Sequence, residues 1–182
     1  MLRSEEKTKA AIDSIKASTP KSKGELVFIA LDPSDLPSVK AAADEFLHRE
    51  RELHLLFNNA RVGYPDKGIR TKQGYELQPG VNCVSTFAFT KHLTPVLVST
   101  ARSAPPNSVR VIWVSSSAAE AVAPGAFVEK LAKIEEKAAF EQYCISNLGT
   151  YLHATEFKQA NCGNSRSVGL ALESLKRDDC RV

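Results

Sequence analysis

Residues 109–114 read VRVIWV, and three serines, Ser115 to Ser117, follow them directly. β-Branched and aromatic residues dominate the six, and such residues are enriched in strands. A short apolar run that ends abruptly in polar residues predicts a strand buried within a sheet. A second run of this kind, LHLLF at residues 53–57, ends in Asn58. Two buried strands, each finishing at polar side chains, therefore define the centre of the predicted fold.

Segments with helical spacing alternate with these strands. A third strand is predicted at Glu25–Leu31 (ELVFIAL), and after it an amphipathic helix of about four turns begins, with Ser34 as its N-cap and Pro37 in its first turn. Further along the chain, the turn at Ala104–Asn107 (APPN) ends the segment that precedes it. The other predicted helices run from Ser4 to about Ala17, within Gly74–Pro95, and in two pieces over Val128–Phe157. This alternation predicts an α/β fold with a largely parallel sheet.

The composition is that of one globular domain. The 182 residues are 43% hydrophobic and 25% charged, and a domain holds roughly 150 residues. The 24 basic and 21 acidic residues give a net charge of +3. A charge this small and scattered excludes the basic patch that nucleic acid or an anionic membrane requires. We therefore expect neither of them as a partner.

Cysteine and histidine usage predicts a reduced, metal-free protein. The first ten residues, MLRSEEKTKA, lack the apolar stretch of a secretion signal. No pair of cysteines forms a C-x-x-C motif, and the histidines fall outside metal-ligand spacings. These residues are Cys83, Cys144, Cys162, Cys180, His48, His54, His92 and His153. We expect a cytoplasmic protein with no metal site.

Candidate site residues follow the predicted strands. In open parallel sheets, ligands bind outside the carboxyl ends of the strands. Asp32, residues 58–61 and the three serines at 115–117 stand there, and Asn82 and Tyr143 add polar side chains from the long helices. Each alone has an ordinary structural role, such as Tyr143 as a half-buried packing residue. Their order along the chain makes the set informative.

This set resembles the short-chain dehydrogenase/reductase family, and its fungal members most closely. Asn58-Asn59-Ala60-Arg61 resembles the family's N-N-A-G segment after the fourth strand, and Ser116 resembles its catalytic serine. Asn82 resembles the asparagine of the active-site helix, and Tyr143 the proton-donating tyrosine of the Y-x-x-x-K motif. One match alone is weak, but the matches in this order are specific.

The resemblance implies a nicotinamide cofactor. Arg3 resembles the arginine that contacts the cofactor's 2′-phosphate, which favours NADP over NAD. Asp32 resembles the aspartate that contacts the adenine, although aspartate is equally common just before a helix cap. Asn58, Asn59 and Ala60 would also bind the cofactor. The implied reaction is hydride transfer between the nicotinamide and the carbon of a small carbonyl or alcohol substrate.

The resemblance also assigns roles in proton transfer, and one of them is altered. Ser116 would hold the substrate oxygen and Tyr143 would pass the proton. The family has a lysine four residues after the tyrosine, where this chain has Asn147. Asparagine can still reach a ribose hydroxyl but supplies no positive charge. We therefore expect impaired catalysis, with alcohol oxidation losing most.

Three further departures from the family define the expected architecture. The family's first strand and its T-G-x-x-x-G-x-G loop, which receives the pyrophosphate, have no counterpart, because Met1 falls after them. Arg61 replaces the glycine of N-N-A-G, where the backbone approaches the cofactor. From Gln159 onward the sequence does not resemble the sixth strand or its Pro-Gly loop. We expect an incomplete Rossmann-type parallel sheet flanked by helices, with a partial domain at 1–158 and an atypical tail at 159–182.

Alternatives remain at this stage for both fold and function. In the family's strand order 3-2-1-4-5-6 the absent strands leave a gap. Either the Glu25–Leu31 strand pairs directly with the Leu53–Phe57 strand, or a partner chain fills the space. The chain is then an impaired oxidoreductase, or a non-catalytic protein that forms homo- or hetero-oligomers through its two long helices, or the product of a truncated gene. The nucleotides upstream of Met1 would decide the last.

Overall fold

The computed structural model describes residues 5–161 and 169–175. The predicted N-cap Ser4 and the predicted cofactor contact Arg3 lie outside these residues. A π-helix, Gly80–Ser85, joins the third helix to the fourth, and short 3₁₀ turns surround the fifth. Within the described ranges the helices are α1 (Glu5–Ser18), α2 (Leu36–Arg49), α3 (Leu77–Pro79), α4 (Thr86–Ser103), α5 (Phe127–Ala132) and α6 (Ala139–Asn161), and the strands are β1 (Leu55–Asn58), β2 (Arg110–Ser116) and β3 (Gly169–Leu175).

The three strands form one parallel sheet in the order β1-β2-β3. β1 pairs with β2 so that Leu55 lies opposite Arg110 and Asn58 opposite Trp113. β2 is the central strand, and its residues 111–115 are all buried. A strand buried on both faces has a nearly continuous apolar sequence, which is why this strand was evident from the sequence. The predicted α/β class with a parallel sheet is confirmed.

β3 forms where no strand was predicted. Gly169 lies opposite Arg110, and the parallel pairing continues to the end of both strands. The sequence after Gln159 does not resemble the family's sixth strand, but the second edge of β2 offers a row of N–H and C=O groups that a parallel neighbour satisfies. The helix α6 runs on to Asn161, past residue 158. The division into a domain and a tail at that residue stays a prediction.

The strand predicted at Glu25–Leu31 is wrong. Among the described residues this segment pairs with no strand, and Leu26 and Val27 are 40% and 54% exposed. The hypothesis that it pairs directly with the Leu53–Phe57 strand is therefore also wrong, since β1 pairs with β2 alone within the described sheet. An apolar run becomes a strand only where a neighbour completes its ladder of hydrogen bonds, and the run itself does not reveal that neighbour.

The helices match the predictions except at their ends. The N-cap position of α2 is held by Asp35, so the predicted Ser34 cap is wrong by one residue. The Ser34 hydroxyl instead donates to the Asp32 carboxylate at 2.7 Å. The helix predicted within Gly74–Pro95 passes through Pro95 and ends at Ser103, and Ala104, where the predicted turn begins, is its C-cap. Pro95 therefore does not end α4, and the helix extends beyond the predicted boundary.

The main core lies between β2, α2, α4 and α6. Leu93 and Leu97 of α4 pack on Val111 and Trp113 of β2, and all four are at most 1% exposed. From α6, the Phe157 ring lies 5.2 Å from the Trp113 ring. This core holds α6 across β2 and so places its first turns near the carboxyl end of that strand. Within the described chain, no helix is both long and apolar enough to cross a membrane.

Candidate active site

Three of the predicted site residues, Asn82, Tyr143 and Asn147, come together with the loop after β1 and the end of β2. Because the two strands are parallel, their carboxyl ends share one edge of the sheet. The helix α6 packs on β2 and on the 3₁₀ turn Ser117–Ala121 that follows it. At this edge the Ser115 hydroxyl donates to the backbone carbonyl of Asn147 at 3.0 Å. The end of β2 and the third turn of α6 are therefore in direct contact.

Asn82 ties the loop after β1 to α6. Its side chain is 2% exposed and lies in the π-helix, a form found frequently at functional sites. The amide oxygen accepts from the Val62 N–H at 2.9 Å, and the amide nitrogen donates to the Val62 carbonyl at 2.9 Å. The same nitrogen donates to the Ser146 hydroxyl at 3.0 Å. One buried amide therefore positions two elements of the site.

The same loop, residues Arg61–Tyr64, encloses the ring of Tyr143. The Tyr64 ring stacks on the half-buried Tyr143 ring with centroids 5.2 Å apart and planes 25° apart. A Cβ on Gly63 would lie 3.4 Å from the Tyr143 ring, so the glycine brings the backbone close to the tyrosine. Tyr64 adopts a left-handed φ of 53°, which costs a non-glycine residue about 1 kcal/mol. We call this segment the 61–64 loop.

Asn147 is engaged at both ends of its amide. Its exposed fraction is 0%. Nδ2 donates to the backbone carbonyl of Tyr143 at 2.8 Å, and Oδ1 accepts from Nη1 of Arg61. Nη2 of Arg61 donates to the carbonyl of Val114, so the guanidinium bridges β2 and α6. In this arrangement no part of the Asn147 side chain is open to a ligand.

Arg61 is the site residue that sequence reasoning missed. The sequence marked it only as a bulky cation in the path of a cofactor, because its bond to Asn147 joins residues 86 positions apart. The one available signal was that both positions depart from the family pattern. The Arg61 Nε is buried and has no acceptor among the described residues. The geometry therefore gives this side chain a central place between β2 and α6.

Ser116 is the half-buried serine at the end of β2. Its Oγ accepts from the N–H of Ala118 at 3.2 Å, which leaves the hydroxyl hydrogen available to a substrate oxygen. Ser115 is 3% exposed and already bonded to α6. Of these two serines, the structure favours Ser116 for contact with a ligand.

The predicted cofactor residues lie on two short segments. Asn58 is 6% exposed and its amide donates to the Thr90 hydroxyl at 2.8 Å, while Asn59 is exposed. The Asp32 carboxylate accepts from the Ser34 N–H at 2.9 Å, as residues that open a helix commonly do. The contacts of these side chains are thus structural, and their roles toward a cofactor stay predictions.

The cavity at the predicted cofactor residues is small. Asn58 and Ala60 line a cavity of about 60 Å³ beside Leu31, whereas ligand pockets measure roughly 300 Å³ or more. The guanidinium of Arg61, the first residue of the 61–64 loop, lies between β2 and α6. The cavity beside Asn58 and Ala60 is by itself too small to hold NADP.

A larger cavity of about 690 Å³ lies between α5 and the π-helix, away from Tyr143. Burial raises the pKa of the Cys83 thiol on its wall to about 12, so this cysteine is neutral and unreactive. Burial also lowers the pKa of His153 and raises that of Glu76. None of the predicted site residues lines this cavity. Its titratable groups therefore stand apart from the Tyr143 site.

Two curated relatives match nearly the whole chain. A short-chain dehydrogenase/reductase of Phomopsis amygdali is 44% identical over 167 residues, which are 91% of this chain and 50% of the relative. The short-chain dehydrogenase/reductase pkfC of Emericella nidulans is 42% identical over 99% of this chain and 60% of its own length. The chain thus spans between half and three fifths of these relatives. No family model matches the sequence.

Solved structures share the architecture. The Pseudomonas aeruginosa RhlG/NADP active-site complex superposes on 94% of this chain with a TM-score of 0.70 and 18% identity, over 59% of that chain. A metagenomic short-chain oxidoreductase in complex with NADP superposes on 96% with a TM-score of 0.67 and 20% identity, over 69% of that chain. At these identities the likeness concerns the fold, which is a Rossmann-type sheet. Since sequence relatives and fold agree, the chain belongs to the short-chain dehydrogenase/reductase family.

Proposed function

We propose that this chain carries the proton-transfer half of an NAD(P)-linked oxidoreductase site for a small carbonyl or alcohol compound, and that its turnover is impaired. The observation that carries the proposal is the enclosure of Tyr143. Asn82, the 61–64 loop and Asn147 all converge on the turn of α6 that bears this tyrosine. Buried amides hold the backbone turn that bears Tyr143, and its ring stacks on the exposed Tyr64, so the tyrosine is preorganised at this edge of the sheet.

The chemistry follows from the polar groups at the edge of the sheet. The Ser116 hydroxyl would orient the substrate oxygen, and the phenol of Tyr143 would give its proton to that oxygen during carbonyl reduction. Asn82 contributes by holding the loop and α6 in place. Asn147 fixes its own turn of the helix through the Tyr143 carbonyl.

Cofactor preference and location belong to the same proposal. Arg3 in the sequence favours NADP, and two relatives in fold were solved in complex with NADP. The cavity beside Asn58 and Ala60 is too small for a nucleotide, so we expect weak affinity for this cofactor. We place the protein in the cytoplasm, and the free thiols of Cys83 and Cys144 are consistent with a reducing compartment.

Turnover of the Tyr143→Phe variant tests the proposal. With NADPH at about 1 mM and a panel of aldehydes and ketones, we expect slow cofactor oxidation by the native chain. Removal of the phenol should lower this rate about a hundredfold, because general acid catalysis contributes that much. Tyr151→Phe is the matched control, since Tyr151 lies on the same helix and is 41% exposed. Equal rates for the two variants would refute the role of Tyr143.

A second candidate function is association through the outer face of α4 and α6. Phe87 is 48% exposed there, and its ring stacks on His153 with centroids 5.1 Å apart. The same face forms a groove of about 390 Å³ that includes Lys91 and Glu156. A second copy of the chain or a complete relative is the partner that would cover it. Sedimentation velocity on the assayed protein separates the two functions: an inert dimer favours association, and an inert monomer contradicts both.

A further inference from the structure

Arg61 holds a positive charge where the described structure offers it only neutral acceptors. Its guanidinium is half-buried and donates to the Val114 carbonyl and the Asn147 amide oxygen. Arg61 forms no ion pair with a described carboxylate. A partly desolvated charge without a counterion keeps a strong local field. This field acts at the carboxyl edge of the sheet, where the proposed chemistry takes place.

The contacts of Arg61 converge on Tyr143 by two routes. Through the side chain, Arg61 bonds Asn147, and Asn147 bonds the Tyr143 backbone carbonyl one helical turn earlier. Through the backbone, Arg61 begins the 61–64 loop, in which Gly63 and Tyr64 contact the Tyr143 ring. Loss of Arg61 would therefore affect both the helix turn and the loop that enclose this ring.

We propose that Arg61 is a positioning residue of the Tyr143 site, and that its charge, supplied from the loop after β1, is what the site requires. The proposal rests on the proposed function of Tyr143 and adds to it the source of the local cation. At the bond between Arg61 and Asn147, the positive charge can lie on either residue 61 or residue 147, provided that one of them carries it.

Three variants separate charge from hydrogen bonding at this bond. Arg61→Gln removes the charge and keeps an amide donor. The double variant Arg61→Gly with Asn147→Lys moves the cation to the α6 side of the same crevice. Arg61→Gly with Asn147→Gln places a neutral side chain of similar reach there instead. Arg51→Gln, at an exposed arginine before β1, controls for loss of charge elsewhere.

The readout is the NMR signal of the Tyr143 ring in [¹³C]tyrosine-labelled protein, assigned with Tyr143→Phe among the 4 tyrosines. We expect the native chain, Arg51→Gln and the lysine double variant to share one Tyr143 signal position. Arg61→Gln and the glutamine double variant should share another. A glutamine double variant that matches the native chain would overturn the proposal, because hydrogen bonding alone would then suffice. A Tyr143 signal that does not move in Arg61→Gln would overturn it as well.

Unfolding in urea supplies a second measurement if a glycine variant folds poorly. Arg61→Gln should raise the equilibrium constant for unfolding about tenfold, since hydrogen bonds from a charged donor are lost. Arg61→Lys should lose less stability than Arg61→Gln because it keeps a cation at the same loop position, although an ammonium does not reproduce the two-armed bridge to Asn147 and Val114. A loss equal to that of Arg61→Gln would count against the charge. Neither the NMR measurement nor the urea unfolding uses cofactor or substrate. A lack of oxidoreductase activity would therefore contradict only the proposed function and would not affect these two results.

Discussion

Replacing Asn82 by leucine should lower the free energy of unfolding by about 3 kcal/mol, since a buried polar group left unpaired costs about 1–3 kcal/mol. Asn82 is 2% exposed and makes three hydrogen bonds, two to the backbone of Val62 and one to Ser146. Leucine fills a similar volume but removes the bonds to both Val62 groups, while the Ser146 hydroxyl keeps its bond to the Tyr143 carbonyl at 2.9 Å. The Val62 groups are partly accessible to water, which keeps the loss toward the lower end of the summed range.

Urea unfolding followed by Trp113 fluorescence measures this change, because this tryptophan is the single one in the chain and is 1% exposed. Gln159→Leu is the control: it also replaces an amide by leucine on a helix, but at an exposed position. The control should stay within about 0.5 kcal/mol of the native protein. A loss below about 1 kcal/mol for Asn82→Leu would mean that the asparagine does not tie the loop to α6.

Replacing Gly149 by valine should cost about 3 kcal/mol through overpacking. A Cβ at this position would lie 2.6 Å from the Cys83 Sγ and 3.1 Å from the ζ carbon of Phe127. The Cys83 thiol is itself bonded to the Ser146 carbonyl at 3.0 Å, so it cannot withdraw without breaking that contact. Valine adds two methyl groups to a space that does not accept one carbon, and α6 would have to move away from the π-helix.

The matched variant is Gly125→Val, because a Cβ on Gly125 meets nothing within 4 Å. Its unfolding midpoint in urea should stay close to the native value, within about 0.5 kcal/mol in free energy. Equal stabilities for Gly149→Val and Gly125→Val would contradict the close contact between α6 and the π-helix. Near-UV circular dichroism of the protein that remains folded would show whether the packing of its aromatic side chains has changed.

β2 was predictable from sequence because burial on both faces gives it a continuous apolar run, and β1 was predicted as well, although its Leu55 and Phe57 are exposed. Trp113 and its apolar neighbours form the run that predicts β2. Glu25–Leu31 carries the same kind of run but lacks a neighbouring strand among the described residues. β3, in contrast, mixes Glu173 and Ser174 with apolar residues and forms because β2 has an edge to pair. Strand formation thus depended on partners that a local pattern does not contain.

The candidate site was predictable in its order along the chain but not in its contacts. Asn82 and Tyr143 were identified as site residues, and the structure places both against the 61–64 loop. The bridge from Arg61 to Asn147 was not foreseen, because two separate departures from a family pattern do not reveal that they meet in space. From the sequence alone, Arg61 and Asn147 are two separate departures from the family pattern. In the structure they are joined by one hydrogen bond.

Titration with NADPH shows whether this chain holds the proton-transfer half of the site without a complete dinucleotide site. Binding is followed by quenching of Trp113, which lies on β2 three residues before Ser116. We expect no saturation below about 1 mM NADPH, which corresponds to a binding free energy weaker than about 4 kcal/mol. Saturable quenching with a Kd in the range of about 10 μM would contradict it, because the described cavities would then have to open into a full cofactor site.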